Sequence, residues 1–167
     1  MKKIVYTLIF IFTCLAGFAQ SENAKEFYNS GNEKLDRKQY KEAIKDYTKT
    51  IELNKTFVAA YYNRGLAKNY LKDYKGAIED YTKTIELDSF NIQAYNNRGL
   101  AKKALEDYDG AVEDYTKAIS LNDSFASAYF NRGNAKVLME RNGCEDFKKA
   151  LDLGNFKAME YIDKYCK

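Results

Sequence analysis

Few side chains in this 167-residue sequence could do covalent or acid–base chemistry, and one type is missing outright, for there is no histidine. That removes the commonest general base and the commonest metal ligand, together with any Ser-His-Asp or Cys-His arrangement. No Gly-rich phosphate loop ending in Lys-Ser/Thr occurs, and no dinucleotide fingerprint. Carboxylate pairs recur at Glu79-Asp80, Glu113-Asp114 and Glu145-Asp146. Lysines three or four residues away make them read as solvated helix faces. Cys144 and Cys166 lack the close spacing of a zinc site. The sequence therefore predicts no enzyme, no metal and no cofactor. What remains is amide chemistry. Asn29, Asn63, Asn97 and Asn131 stand 34 residues apart each time. A primary amide offers donor and acceptor together, so it can pair with a peptide group of any sequence.

The elements that must position these amides follow from the same period. Shifted by 34, Val58–Asn91 and Ile92–Phe125 agree at 20 of 34 positions, enough to make them copies of one unit. The shared run Tyr61-x-Asn63-Arg64-Gly65-Leu66-Ala67-Lys68 returns from Tyr95 to Lys102, and again from Tyr129 to Lys136 with Asn134 in place of Leu. A fixed period of this size signals a solenoid, in which each unit buries its apolar face only against its neighbours. Within a unit, Ile44/Tyr47/Ile51 and Ile78/Tyr81/Ile85 step by three and four, one face of a helix. Short turns at Asp36–Gln39, Lys72-Asp73 and Glu106-Asp107 divide each unit into two antiparallel helices. Gly31, Gly65, Gly99 and Gly133 fall mid-helix, where each costs about 1 kcal/mol against Ala. Close backbone approach between the two helices is the expected compensation, with Ala43, Ala77 and Ala111 as the small partners.

On a helix each Asn shares a stripe with residues four before, three after and seven after. Those stripes read Lys25/Asn29/Asn32/Asp36, Ala59/Asn63/Leu66/Tyr70, Gln93/Asn97/Leu100/Ala104 and Ser127/Asn131/Asn134/Leu138. The Gly-bearing side lies roughly opposite, so the Asn stripe is expected to be the open one. The alternative is that each Asn bonds a neighbouring helix and never meets a ligand. Arg64, Arg98 and Arg132 read as structural, stacking or pairing between units.

These residues carry a family resemblance. Phe27/Gly31/Ala43/Tyr47, Tyr61/Gly65/Ala77/Tyr81 and Tyr95/Gly99/Ala111/Tyr115 resemble the tetratricopeptide repeat over roughly Ala24 to Leu153. Lys55, Ser89 and Asp123 replace its usual Pro, and the fourth unit is two residues shorter before Asp146-Phe147. The resemblance implies an all-α fold, a right-handed α-solenoid of four helical hairpins: units 24–57, 58–91, 92–125 and 126–154. It also implies that the Asn stripe lines a concave groove, where Asn29, Asn63, Asn97 and Asn131 would hold an extended peptide. Tyr28, Tyr62, Asn96 and Phe130 would flank that ladder, with Leu66, Leu100 and Tyr70 beside it. Four amide contacts at about 1 kcal/mol each give only millimolar binding, so the aromatics would have to supply the rest. Some members clamp a terminal carboxylate. Here Asn32 and Asn63 match the clamp's amides, but Tyr28, Gln93 and Asn97 occupy its basic places, so that activity is not expected.

Beyond Leu153-Gly154, the apolar residues Phe156, Met159, Tyr161 and Ile162 predict a capping helix over 155–166. Cys144 opens the preceding helix and Cys166 ends this one, equidistant from a turn at 155. That symmetry predicts a Cys144–Cys166 disulfide, although Cys144 also fits simply as the small residue in the place of Ala43, Ala77 and Ala111.

At the other end, Met1-Lys2-Lys3 is followed by an uncharged run from Ile4 to Ala19 that closes on Gly17-Phe18-Ala19. This order predicts a signal peptide over 1–19, cut after Ala19, leaving one domain over 20–167 without a membrane span and placed in the periplasm or outside the cell. A retained anchor is the alternative. Cys14 follows Ile11-Phe12-Thr13, a poor lipidation context. The charge of +3 comes from interleaved Lys and Glu/Asp rather than a basic face, which argues against nucleic acid. Zero Pro, 15 Tyr and 10 Phe describe an ordered chain with much amphipathic contact area. The expected function is non-enzymatic binding of a protein or peptide, with a self-associating or envelope-anchored scaffold as the alternative.

Overall fold

Within each hairpin the chain doubles back at a non-glycine residue with positive φ. Lys38, Lys72, Glu106 and Glu140 all have φ between 57° and 64°, the left-handed conformation that ends a helix. Each such turn is closed the same way: the Asp73 N–H donates to the Lys68 carbonyl and the Lys72 N–H to the Asn69 carbonyl, both at 2.9 Å. Beyond two of these turns the next helix is capped by a side chain. Asp73 accepts from the Gly76 N–H, and Asp107 from the Gly110 N–H.

These reversals set the order of elements in the computed structural model, which describes residues 22–166. Helix α1 occupies 22–36. It is followed by α2 (Tyr40–Leu53), α3 (Val58–Tyr70), α4 (Tyr74–Leu87), α5 (Ile92–Ala104), α6 (Tyr108–Leu121), α7 (Ala126–Leu138), α8 (Cys144–Asp152) and α9 (Lys157–Tyr165). No strand occurs among the described residues. From α3 onward each helix packs on the one before it in sequence, while α5 also touches α3 and α7, giving the expected all-α solenoid. The proposed leader over 1–19, with Cys14, lies outside the described residues.

The core is built from small residues facing rings. Ala43, Ala77, Ala111 and Ala150 are fully buried on the second helix of each hairpin, as are Tyr47, Tyr81, Tyr115 and Phe147. The repeated glycines serve those rings. A Cβ on Gly65 would lie 2.8 Å from Tyr81 Cε1, and one on Gly99 2.7 Å from Tyr115 Cε1. The expected backbone-to-backbone approach is therefore corrected: the glycine makes room for an aromatic edge, and only the fourth unit brings two backbones together. There the shortened turn presses Gly143 onto Gly133, where a Cβ would meet the Gly133 carbonyl oxygen at 2.5 Å.

Helix α9 closes the stack. Phe130, Phe147, Ala150 and Ala158 form one buried cluster, and the Tyr161 ring sits 4.9 Å from that of Phe130 and 5.2 Å from that of Phe147. Cys144 and Cys166 are joined by a disulfide with their Cα atoms 5.6 Å apart, across the turn that the spacing predicted.

Candidate functional site

One face of the solenoid is shared by the first helices of the hairpins, α1, α3, α5 and α7, and it carries the asparagine series. The amides are linked from unit to unit. Asn63 Nδ2 donates to Tyr28 Oη at 3.1 Å and to Asn32 Oδ1 at 2.9 Å. Asn97 Nδ2 donates to Tyr62 Oη at 2.9 Å, and Asn131 Nδ2 to Asn96 Oδ1 at 3.0 Å. Asn29 has no unit before it among the described residues and stays exposed; Asn63, Asn97 and Asn131 are half-buried. The stripe is thus not open on its donor side, which corrects that expectation. The acceptor side differs. Asn97 Oδ1 takes a 3.3 Å bond from Asn96 Nδ2, whereas no donor among the described residues meets Asn63 Oδ1 or Asn131 Oδ1.

The flanking residues divide. Tyr28 and Tyr62 are half-buried, their rings 6.0 Å from Tyr47 and 5.9 Å from Tyr81. Asn96 and Phe130 are only 7% and 9% exposed. They do not flank an opening: Asn96 is turned in to accept from Asn131, and Phe130 is covered by α9. Leu66 and Leu100 are half-buried, while Tyr70 stands out 60% exposed and stacks on Tyr40 at 4.7 Å.

Under this face lie polar atoms without partners. Tyr81 Oη, Tyr115 Oη and Asn69 Oδ1 are buried and unbonded, whereas Tyr47 Oη in the first unit donates to Asn32 Oδ1 at 2.9 Å. The difference is one residue: Leu66 and Leu100 stand where Asn32 does. Burial pushes all three phenols up from their ordinary value, so they remain protonated donors. A buried donor left unbonded costs about 1–3 kcal/mol, while a satisfied one contributes about 1 kcal/mol. Tyr115→Phe should accordingly leave the urea midpoint unchanged or raise it, as Phe147 in the fourth unit foreshadows. Tyr47→Phe should lower the midpoint, with a loss of about 1 kcal/mol in unfolding free energy in the same measurement.

The arginine series is structural, stacking on a tyrosine and bonding to the preceding unit as expected, but its aspartate partners escaped the sequence reading. Asp80, Asp114 and Asp146 are each 3% exposed, which corrects their assignment to solvated faces; only Glu79, Glu113 and Glu145 are solvated. Each Asp receives two cations. Arg98 grips Asp114 through Nε at 2.9 Å and Nη2 at 2.6 Å, and Lys102 Nζ reaches it at 2.9 Å. Arg98 Nη1 meanwhile reaches back to Thr82 Oγ1 of the preceding unit at 3.0 Å, with its Cζ 5.6 Å from the Tyr95 ring centroid. Arg64 and Arg132 repeat the arrangement with Thr48 and Thr116. The signal was present: Arg and Asp recur 16 residues apart in two successive units.

No group of acidic, cysteine or histidine residues among those described could hold a metal ion. None of the described helices is long and apolar enough to cross a membrane. An open cleft of about 620 Å³ lies away from the Asn face, between Val137, Arg141, Lys148 and Tyr165 beside the disulfide. Its cysteines are paired and Arg141 is paired with Asp109 at 2.9 Å.

Comparison with known proteins places this geometry. The sequence profile of the tetratricopeptide repeat matches residues 58–91 and 92–125, and a second TPR-repeat profile matches 31–69, together spanning more than half of the chain. A crystal structure of MamA superposes with a TM-score of 0.77 at 29% identity, covering 82% of this chain and 81% of that one. The TPR domain of Arabidopsis OM64 gives 0.69 at 28% identity, over 71% of this chain and 98% of that one. The first TPR of Spaghetti (RPAP3), solved bound to the HSP90 peptide SRMEEVD, gives 0.70 at 26% identity, over 72% and 95%. No curated protein matches the chain.

Proposed function

We propose that this chain, which belongs to the tetratricopeptide repeat family, works outside the cytoplasm as a non-enzymatic scaffold that holds an extended peptide along the face of α1, α3, α5 and α7. One observation carries the reading. The amides of Asn63 and Asn131 are fixed in orientation by bonds to the preceding unit, while their Oδ1 acceptors meet no donor among the described residues. An acceptor held still in advance loses less entropy when a peptide N–H arrives, and such preorganisation is where modest hydrogen bonds gain affinity. Half-buried Leu66 and Leu100 and exposed Tyr70 supply apolar area beside these acceptors. Peptide complexes of the RPAP3 domains support the mode of use. They do not support the same peptide, because the clamp's basic places are occupied here by Tyr28, Gln93 and Asn97. Export rests on the basic start, the uncharged run and the Ala19 junction, and a disulfide suits an oxidising compartment.

The test must separate recognition from packing, since these amides also join units. Peptides selected from a random-sequence library on the parent should bind an Asn63→Ala/Asn131→Ala variant roughly 10- to 30-fold more weakly, about 1 kcal/mol for each amide lost. Tyr28→Phe removes one partner of Asn63 but leaves its amide in place. It should cost stability while holding affinity near that of the parent. If it weakens binding as much as the double variant does, the asparagines act only through packing and the ladder is refuted.

A further inference from the structure

Two lysines at the C-terminal end of this face have no counter-charge. Lys34, Lys68, Lys102 and Lys136 each pair with the aspartate of their own hairpin. Lys103 and Lys157 pair with no carboxylate among the described residues. Lys103, on α5, is half-buried and donates to Asn134 Oδ1 on α7 at 3.1 Å. Lys157 opens α9 and rests its Nζ 5.5 Å from the Phe130 ring centroid. Burial and the neighbouring Lys157 both disfavour the charge on Lys103.

From this placement, and resting on the peptide-binding reading above, we propose that the bound peptide carries a carboxylate received by Lys103, Lys157 and Asn134 at the α7–α9 end. A lysine ammonium has three donors and Lys103 spends one on Asn134, so two remain. That bond also holds the Asn134 amide by its oxygen, leaving its Nδ2 with no acceptor among the described residues. Lys157 is exposed and solvent already screens its charge, so the deficit to be met is the single half-buried charge of Lys103. A monoanion fits that deficit. A buried cation left unpaired is costly, and one that meets a carboxylate gains a charge-assisted bond. The carboxylate has two sources in a peptide, an Asp/Glu side chain or the chain terminus. The subsite stands apart from the clamp positions of the first three units, because it uses the third and fourth units and the capping helix.

The experiment titrates the intact chain, with its lysines 13C-labelled, against three short peptides followed by NMR. These are acetyl-Ala-Ala-Glu-Ala-amide, its Gln counterpart, and acetyl-Ala-Ala-Ala with a free terminus. The Lys103 and Lys157 signals should move with the Glu peptide, with the free-terminus peptide, or with both, thereby naming the source, and stay still with the Gln peptide. Lys103→Gln should cut affinity for the responding peptide at least tenfold, leave the Gln peptide unchanged, and be rescued by Lys103→Arg. Equal response to all three peptides overturns the subsite while the peptide groove stands. Silence of every groove signal at millimolar peptide overturns both.

Discussion

Asp114→Ala should destabilise the chain by about 3 kcal/mol, the lower part of the range for breaking a buried ion pair by removing one partner. The carboxylate is the convergence point of Arg98 and Lys102, and its own side chain is 5% exposed while theirs are 16% and 19% exposed. Removing it leaves two partly buried cations facing each other, and it frees the arginine that reaches Thr82 in the preceding unit. The loss is then local and inter-unit at once, a large share of the 5–15 kcal/mol that holds a typical domain. In a chain of this size a change of 3 kcal/mol corresponds to roughly 6–12 °C in melting temperature. Two comparisons isolate the cause. In the first unit Ser30 stands where Arg64, Arg98 and Arg132 stand later, and Asp46 meets one lysine and that serine hydroxyl. Asp46→Ala should therefore cost about 1 kcal/mol, the worth of a more exposed pair. Combining Asp114→Ala with Arg98→Met and Lys102→Met should recover most of the loss, because apolar residues of similar volume can replace a buried ionic cluster at little net cost. If the triple variant is as unstable as Asp114→Ala, the aspartate matters for something other than charge pairing.

That network marks the boundary of what one sequence could reveal. Helix type, hairpin order and unit length were readable because each is a local pattern repeated by near-copies. The cysteine pairing was readable because a turn makes equidistant residues neighbours. Burial of Asp114 was not, because Glu113 and Asp114 look alike within their own helix. The other helix of the same hairpin decides which is covered, through an arginine 16 residues earlier. The same holds on the amide face. Tyr28, Tyr62, Asn96 and Phe130 occupy one register, yet Phe130 alone lies beneath α9 and Asn96 alone answers the next unit with a carbonyl oxygen. The helical wheel gave the side on which each asparagine projects, but it could not say that Tyr28 and Tyr62 hydroxyls would be waiting there.

Loss of the Cys144–Cys166 bond should loosen one end of the molecule and leave the rest nearly untouched. The closed segment spans a sequence separation of 22, for which the chain-entropy account gives about 3 kcal/mol. In a stack held by nearest neighbours that energy is not shared by all units, since α9 touches the body mainly through α8 and the cluster around Phe147. The end should therefore open by itself, below the global unfolding energy. In a Cys144→Ser/Cys166→Ser variant, amide hydrogen exchange in α8 and α9 should accelerate by about 100-fold, the equivalent of 3 kcal/mol, with α3 to α5 unchanged. The same opening lifts Lys157 from Phe130, so a reduced chain should also bind the carboxylate-bearing peptide more weakly than the oxidised one while treating the Gln peptide alike. A uniform acceleration along all helices would contradict this account. It would mean that the units melt together and that the cap secures the entire stack rather than its last layer.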